Sequence, residues 1–175
     1  MMTRDQIIDY LRQLGEELAH ENLKGEILLT GGAAMCLVHE ARDMTKDIDA
    51  LYEPKTVINR IAVKIAERNG LPSNWLNDSV KSFVGDNAST EDFIALRGLR
   101  IQTVTAEYLL AMKLMSARQG ERDYEDIRFL LNKLNVTSTP QVYKILEAYF
   151  AASEILPKTM YVIASMMKEE QEGKQ

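Results

Sequence analysis

The chain has 175 residues, 46% of them apolar and 27% charged, the ordinary balance of a soluble globular protein. Its 21 Lys and Arg against 26 Asp and Glu give a formal net charge of −5, which disfavours a protein whose main work is coating nucleic acid. One cysteine, Cys36, excludes a disulfide framework and a cysteine-rich zinc site, and the two histidines, His20 and His39, lie too far apart for a spaced ligand pair. No stretch approaches the roughly 20 apolar residues of a membrane span. No apolar run of the secretory type follows Met1-Met2-Thr3-Arg4, so a soluble, cytoplasmic protein is expected.

Thr3-Arg4-Asp5-Gln6 has the spacing of a capping box, and Ile7, Leu11, Leu14 and Leu18 repeat behind it as one helical stripe that ends near Lys24-Gly25. Ile27-Leu28-Leu29 is short, branched and unbroken, as a buried strand is. Gly31-Gly32 follows at once, and Ala33 to Val38 reads as a short buried helix. Arg42 to Lys46 reads as a polar loop. Asp47 to Tyr52 reads as a second strand, stopped by Pro54. Val57, Ile58, Ile61, Ile65 and Ala66 mark a helix that closes at Asn69-Gly70. Ser73 is placed to cap a short helix through Trp75 and Leu76. Phe93–Leu96 and Leu99–Val104 flank Arg97-Gly98 as a hairpin. From Thr105 the pattern is helical, with helices expected near 106–118, 121–135, 140–152 and 157–170. The layout is a small α/β half over 1–104 followed by a helical half over 105–175.

Asp47 and Asp49 carry the most information. Side chains two apart on a strand share a face, while Ile48 between them points into the core. Two adjacent carboxylates repel and lose hydration when partly buried, an expensive arrangement without a cation. Magnesium prefers oxygen ligands and takes one or two carboxylates plus substrate phosphates. On spacing alone a solvated strand edge with two ordinary acids fits as well. Gly31-Gly32 shifts the balance, because backbone without side chains approaches a ligand closely and the helix start offers N–H groups to an anion. The two features together meet the needs of a nucleoside triphosphate: a cradle for phosphates and a metal that bridges them.

Downstream, Lys113 stands alone among Leu109, Leu110, Ala111, Met112, Leu114 and Met115. It either covers apolar surface with its stem or is held for an anion. Ile127, Leu130, Leu131 and Leu134 form the next stripe; at about 100° per residue Asp123 falls inside it and Asp126 at its edge. Acids so near a buried face need a partner, and Lys113, Arg118 and Arg122 are the candidates. The functional alternative puts Lys113 on a triphosphate and Asp126 at the reacting centre or on the lysine.

Thr30-Gly31-Gly32-Ala33-Ala34 followed by Arg42-x-x-Thr45-x-Asp47-Ile48-Asp49 resembles the opening of the DNA polymerase beta-like nucleotidyltransferase superfamily. Lys113-x-x-x-Ala117-Arg118-x-x-x-Arg122-Asp123-x-x-Asp126 resembles the second block of a narrower group, the abortive-infection toxin type nucleotidyltransferases and their bacterial relatives. The resemblance covers roughly residues 26–131. It implies an α+β fold, with a small mixed β-sheet nucleotidyltransferase core, flanking helices and a C-terminal helical bundle packed on the core. It further implies Gly31 and Gly32 on the phosphates, Asp47 and Asp49 as catalytic metal ligands for Mg2+, Lys113 offsetting triphosphate charge, and Asp126 as base or charge partner. The implied reaction moves a nucleoside monophosphate from an NTP to a hydroxyl of RNA, protein or a small molecule. Some relatives are toxins paired with an antitoxin protein.

Three departures from the family pattern stand out, the first a gap from Gly32 to the acids longer than in the most compact members. Gly32 occupies a position that is serine in many members, and Leu99–Val104 lacks the third carboxylate that many carry on a later strand. Glu91, Asp92, Glu107 or the later helical acids would have to replace it. The missing carboxylate leaves a second expectation open, a non-catalytic nucleotide-binding or protein-interaction domain that retains the fold. Arg42, Lys46, Arg100, Arg118 and Arg122 are each either a surface charge or part of a positive rim for phosphates.

Overall fold

The computed structural model describes residues 1–82, 84–116 and 121–172. The chain forms two compact units, one of Met1–Val84 and Thr90–Val104, the other of Gly85–Ser89 and Thr105–Gln175.

The first unit runs β1 (Met2–Thr3), α1 (Arg4–His20), β2 (Gly25–Leu29), α2 (Gly31–Leu37), β3 (Met44–Thr45), β4 (Ile48–Glu53), α3 (Lys55–Asn69), β5 (Leu76–Asn77), a 3-10 turn at Ser79–Ser82, β6 (Thr90–Leu96) and β7 (Leu99–Val104). The capping box forms as the spacing predicts: Gln6 N–H donates to Thr3 Oγ1 at 3.3 Å, and Thr3 N–H donates to Gln6 Oε1 at 2.9 Å. Helix α3 ends on Gly70 at φ +64°.

Five strands form a mixed sheet in the order β5-β4-β2-β7-β6, with β2 antiparallel to β4, parallel to β7, and β4 parallel to β5. Strands β6 and β7 make the expected hairpin, with a bulge between Asp92 and Ile94. Burial alternates along β4: Ile48, Ala50 and Tyr52 are buried while Asp49 and Leu51 are half-buried. The period of two means the sheet has one closed and one partly open face. The closed face packs Ile27, Leu29, Ile48 and Ala50 with Ile7, Leu11, Leu14 and Leu18 of α1 and Ile58, Ile61 and Ile65 of α3. Each such side chain contributes about 1.5–3 kcal/mol when fully buried. Asp49 is carried on the other face.

Two local expectations fail. Residues 73–76 form no helix; Leu76 and Asn77 instead pair in parallel with Ile48 and Asp49. Trp75 is fully buried with its Nε1–H donating to the Ala62 carbonyl at 2.9 Å. The loop at 42–46 contains β3, which pairs with β1.

In the second unit, α4 (Ala106–Ser116) is apolar nearly all round, as suits a central helix. It packs with α5 (Glu121–Lys133), α6 (Thr139–Tyr149) and α7 (Pro157–Glu172). Residues 85–89 belong here because Gly85 N–H donates to the Tyr108 hydroxyl at 2.8 Å and Asn87 Nδ2 to the Tyr149 carbonyl at 2.9 Å. The fold is α+β throughout, with a mixed sheet of the size a small nucleotidyltransferase core needs. Among the described residues no helix is long and apolar enough to cross a membrane.

Candidate functional site

Strand β2 delivers the glycine turn to β4. Leu29 pairs with Ala50, and the next residue, Thr30, gives both its N–H and its hydroxyl to the Asp49 carbonyl at 3.1 Å. Gly31 then sits at φ +54°, a backbone region that costs other residues roughly 1–2 kcal/mol. A β-carbon there would stand 3.1 Å from Asp49 Oδ2. The turn and the carboxylate are therefore neighbours, with only the missing side chain separating them. At Gly32 a β-carbon would come within 2.9 Å of Thr45 Oγ1 and 3.3 Å of Arg42 Nη1. Those two side chains crowd the place where a side chain at this position would start.

Asp47 stands one residue ahead of β4 rather than on it. Its carbonyl accepts from the buried Thr45 hydroxyl at 3.2 Å. Burial pushes the Asp47 carboxyl above the ordinary carboxylate range; the Asp49 charge adds to the rise, while Lys46 and a backbone hydrogen bond oppose it. Both acids are half-buried. The pair is thus close enough to couple electrically, which is the situation a divalent cation relieves. The donor set is oxygen throughout, the kind of ligand magnesium prefers.

Among the described residues of the first unit no third carboxylate completes the pair. Among the described residues no group of three or more His, Cys, Asp or Glu is arranged to hold a metal. Glu91 and Asp92 lie on β6, three strands from β4 and so about 14 Å away. Asp92 is engaged by Arg100 at 2.7 Å. Glu107 is exposed on α4. What lies beside Asp49 is neutral oxygen: the Ser79 hydroxyl stands 3.2 Å from its Oδ1 and donates to the nearer Asn77 Oδ1, the side chain of the register partner of Asp49 on β5. Sequence reasoning missed both. The only signal was Asn77-x-Ser79 after an apolar pair, a pattern that marks an ordinary turn.

The cations separate in the same way. Arg42 reaches the glycine turn, and Lys46 acts on Asp47 through its charge. Arg100 is taken up by Asp92 and, at 3.8 Å, by Glu26. Arg118 lies outside the described residues, as does the side chain of Arg122. A cavity of about 470 Å³ lies elsewhere in this unit, between Lys24–Glu26 and the β6–β7 hairpin, and none of the four predicted site residues lines it.

In the second unit the structure brings Lys113 together with both helical acids. Lys113 Nζ lies 2.6 Å from Asp126 Oδ2 and 3.1 Å from Asp123 Oδ1. The helical-wheel reading has the burial order reversed: Asp126 is 3% exposed and Asp123 32%. An angle counted from the stripe of one helix omits what lies across from it, here the Lys113 ammonium of α4 against Asp126 Oδ2. Of the alternatives open for Asp126, this geometry places it on the lysine.

A family model described as "Nucleotidyltransferase of unknown function (DUF6036)" matches residues 8–162. The chain belongs to this nucleotidyltransferase family. The match spans both units and both motif blocks, so the family relationship embraces the helical half as well as the sheet. At the level of reaction class, the family is one of transferases that move nucleotides. No curated protein and no solved structure matches the chain.

Proposed function

We propose that the protein is a magnesium-dependent nucleotidyltransferase that transfers a nucleoside monophosphate from an NTP to a hydroxyl of RNA, protein or a small molecule. The observation that carries this reading is Asp49 Oδ2 facing the side-chain-free turn at Gly31, with the Asp47 carboxyl raised beside it. Asp47 and Asp49 would hold the cation, and the Gly31-Gly32 backbone would let phosphate oxygens approach the same oxygens. Magnesium, when bound, supplies positive charge across the phosphates of the departing group. Arg42 adds a fixed cation at the turn. Helix α2 spans only seven residues, so the turn and not a helix dipole is the anion-binding element.

The resemblance of the second block supports a further step, membership of the abortive-infection toxin type with an antitoxin protein as partner. Lys113 and Asp126 are the residues of that block to test. Expression of the wild-type chain in a bacterium would then arrest growth, and Asp49→Ala would relieve the arrest.

The two-carboxylate set favours one competing reading, a domain that binds nucleotide without turnover. Thermal unfolding with a mixture of the four NTPs, with and without magnesium, tests the site. Stabilisation that ignores both magnesium and Asp49→Ala overturns it. Labelled NTPs incubated with total RNA and protein then separate the two readings, because only the enzyme leaves label on an acceptor.

A further inference from the structure

Asn77 stands on the far side of Asp49 from the glycine turn. In the sheet β4 lies between β2 and β5, so each flanking element is about 4.8 Å from it. Asp49 and Asn77 are register partners in the parallel β4–β5 ladder and therefore project from the same face. The Ser79 hydroxyl fits that placement, standing 3.2 Å from Asp49 Oδ1 while it donates to Asn77 Oδ1.

The Asn77 amide has a fixed orientation. Its Oδ1 accepts from the Ser79 backbone N–H at 3.1 Å and from the Ser79 hydroxyl. Two donors fill both lone pairs of an amide oxygen, so none is left for a metal. The same two bonds settle which end of the amide is nitrogen. Nδ2 keeps two N–H groups that meet no acceptor among the described residues. Asn77 is half-buried, and a half-buried donor gains by meeting an oxygen. A lysine or arginine at this place would pair with Asp49 and compete with a cation there. A neutral amide binds an oxygen and leaves the carboxylate free.

We propose that Asn77 is a nucleotide-recognition residue: its Nδ2 donates to an acceptor oxygen, on sugar or phosphate, of an NTP bound across Asp49 and the glycine turn. This rests on the reading of Asp49 as a cation ligand. Ser79 acts only through Asn77, by holding the amide with its nitrogen outward. Losing one such hydrogen bond weakens binding by about three- to tenfold.

The test uses the full chain and thermal unfolding at saturating magnesium chloride. The titrants are a mixture of ATP, CTP, GTP and UTP, the matching 2′-deoxy mixture, and inorganic tripolyphosphate. Asn77→Ser keeps an oxygen for the Ser79 N–H, as serine does in turns, and removes the amide donors. Each variant is read against its own ligand-free melt, so a loss of stability does not mimic a loss of affinity. Asn77→Ser is expected to need about three- to tenfold more NTP for half-maximal stabilisation. An equal loss with tripolyphosphate puts the recognised oxygen on a phosphate. A loss with both nucleotide mixtures and not with tripolyphosphate puts it on the sugar, and a loss with NTPs alone puts it on the 2′-hydroxyl. Asp49→Asn is the reference for loss of the site. If Asp49→Asn abolishes stabilisation while Asn77→Ser titrates as wild type with NTPs, the role of Asn77 is overturned and the site stands. If Asp49→Asn is stabilised like wild type, the cation-site reading fails and takes the role of Asn77 with it.

Discussion

The Lys113–Asp126 contact sets up a sharp test of how burial, rather than contact alone, decides what an ion pair contributes. Lys113 Nζ touches Asp126 Oδ2 at 2.6 Å and Asp123 Oδ1 at 3.1 Å, so a count of contacts ranks the two acids nearly alike. Exposure separates them, at 3% for Asp126 and 32% for Asp123. Removing Asp126 takes away the buried partner and leaves Lys113 only the part-exposed Asp123, so the cost is expected at the lower end of the about 3–5 kcal/mol of a broken buried pair. Removing a partner near solvent costs about 0.2–1 kcal/mol. For a chain of this size each kcal/mol moves the melting temperature by roughly 2–4 °C. Asp126→Ala is therefore expected to lower Tm by roughly 6–12 °C, and Asp123→Ala by at most about 4 °C. Replacing both charges with apolar groups, Lys113→Met with Asp126→Leu, should recover most of the loss, because a well-packed apolar pair does not need the compensation a buried ion pair needs. Circular dichroism melts of the four proteins decide it. Equal losses for the two alanine variants, or a double variant no more stable than Asp126→Ala, would refute the reasoning. A folded double variant also isolates function: if Lys113 offsets triphosphate charge, NTP binding weakens while stability does not.

Three other outcomes follow from the first unit. Gly31→Ala should lose about 1–2 kcal/mol from its left-handed backbone and also weaken magnesium-dependent NTP stabilisation, since its β-carbon meets Asp49 Oδ2 at 3.1 Å; Gly31→Asn tolerates the backbone but keeps the crowding, so it should recover stability and not binding, as urea melts with and without ligand will show. Asp47→Asn should melt above wild type at neutral pH without magnesium. The raised Asp47 carboxyl makes ionisation costlier in the fold than in the unfolded chain, so the penalty is full above its folded pKa, fades as pH falls from there to the ordinary carboxylate value, and is gone below it; a gain that grows on acidification contradicts this. Gly32→Ser should cost about 1–3 kcal/mol by overpacking against Thr45 Oγ1, 2.9 Å from the new β-carbon, and Gly32→Ser with Thr45→Ala should recover it in the same melts.

What the sequence determined by itself is what depends on near neighbours. The capping box at Thr3 and Gln6, the stop at Gly70 and the hairpin around Arg97-Gly98 each rest on interactions within a few residues, and all three form as read. The order of those elements sets a sheet-bearing half before a helical one, and the α+β class is what the family resemblance implies. The alternation around Ile48 likewise assigned Asp49 to the open face before any partner was known. The tertiary structure alone decided who stands beside whom. Two apolar residues, Trp75 and Leu76, do not carry enough period to distinguish a helix from a strand, and pairing with β4 settled them as strand neighbours. That pairing put Asn77 and Ser79 against Asp49. Arg42 and Thr45 filled the space over Gly32 for the same reason, and α4 buried Asp126 in place of Asp123. Such choices depend on the surface an element meets after it has formed, which no local pattern of residues contains.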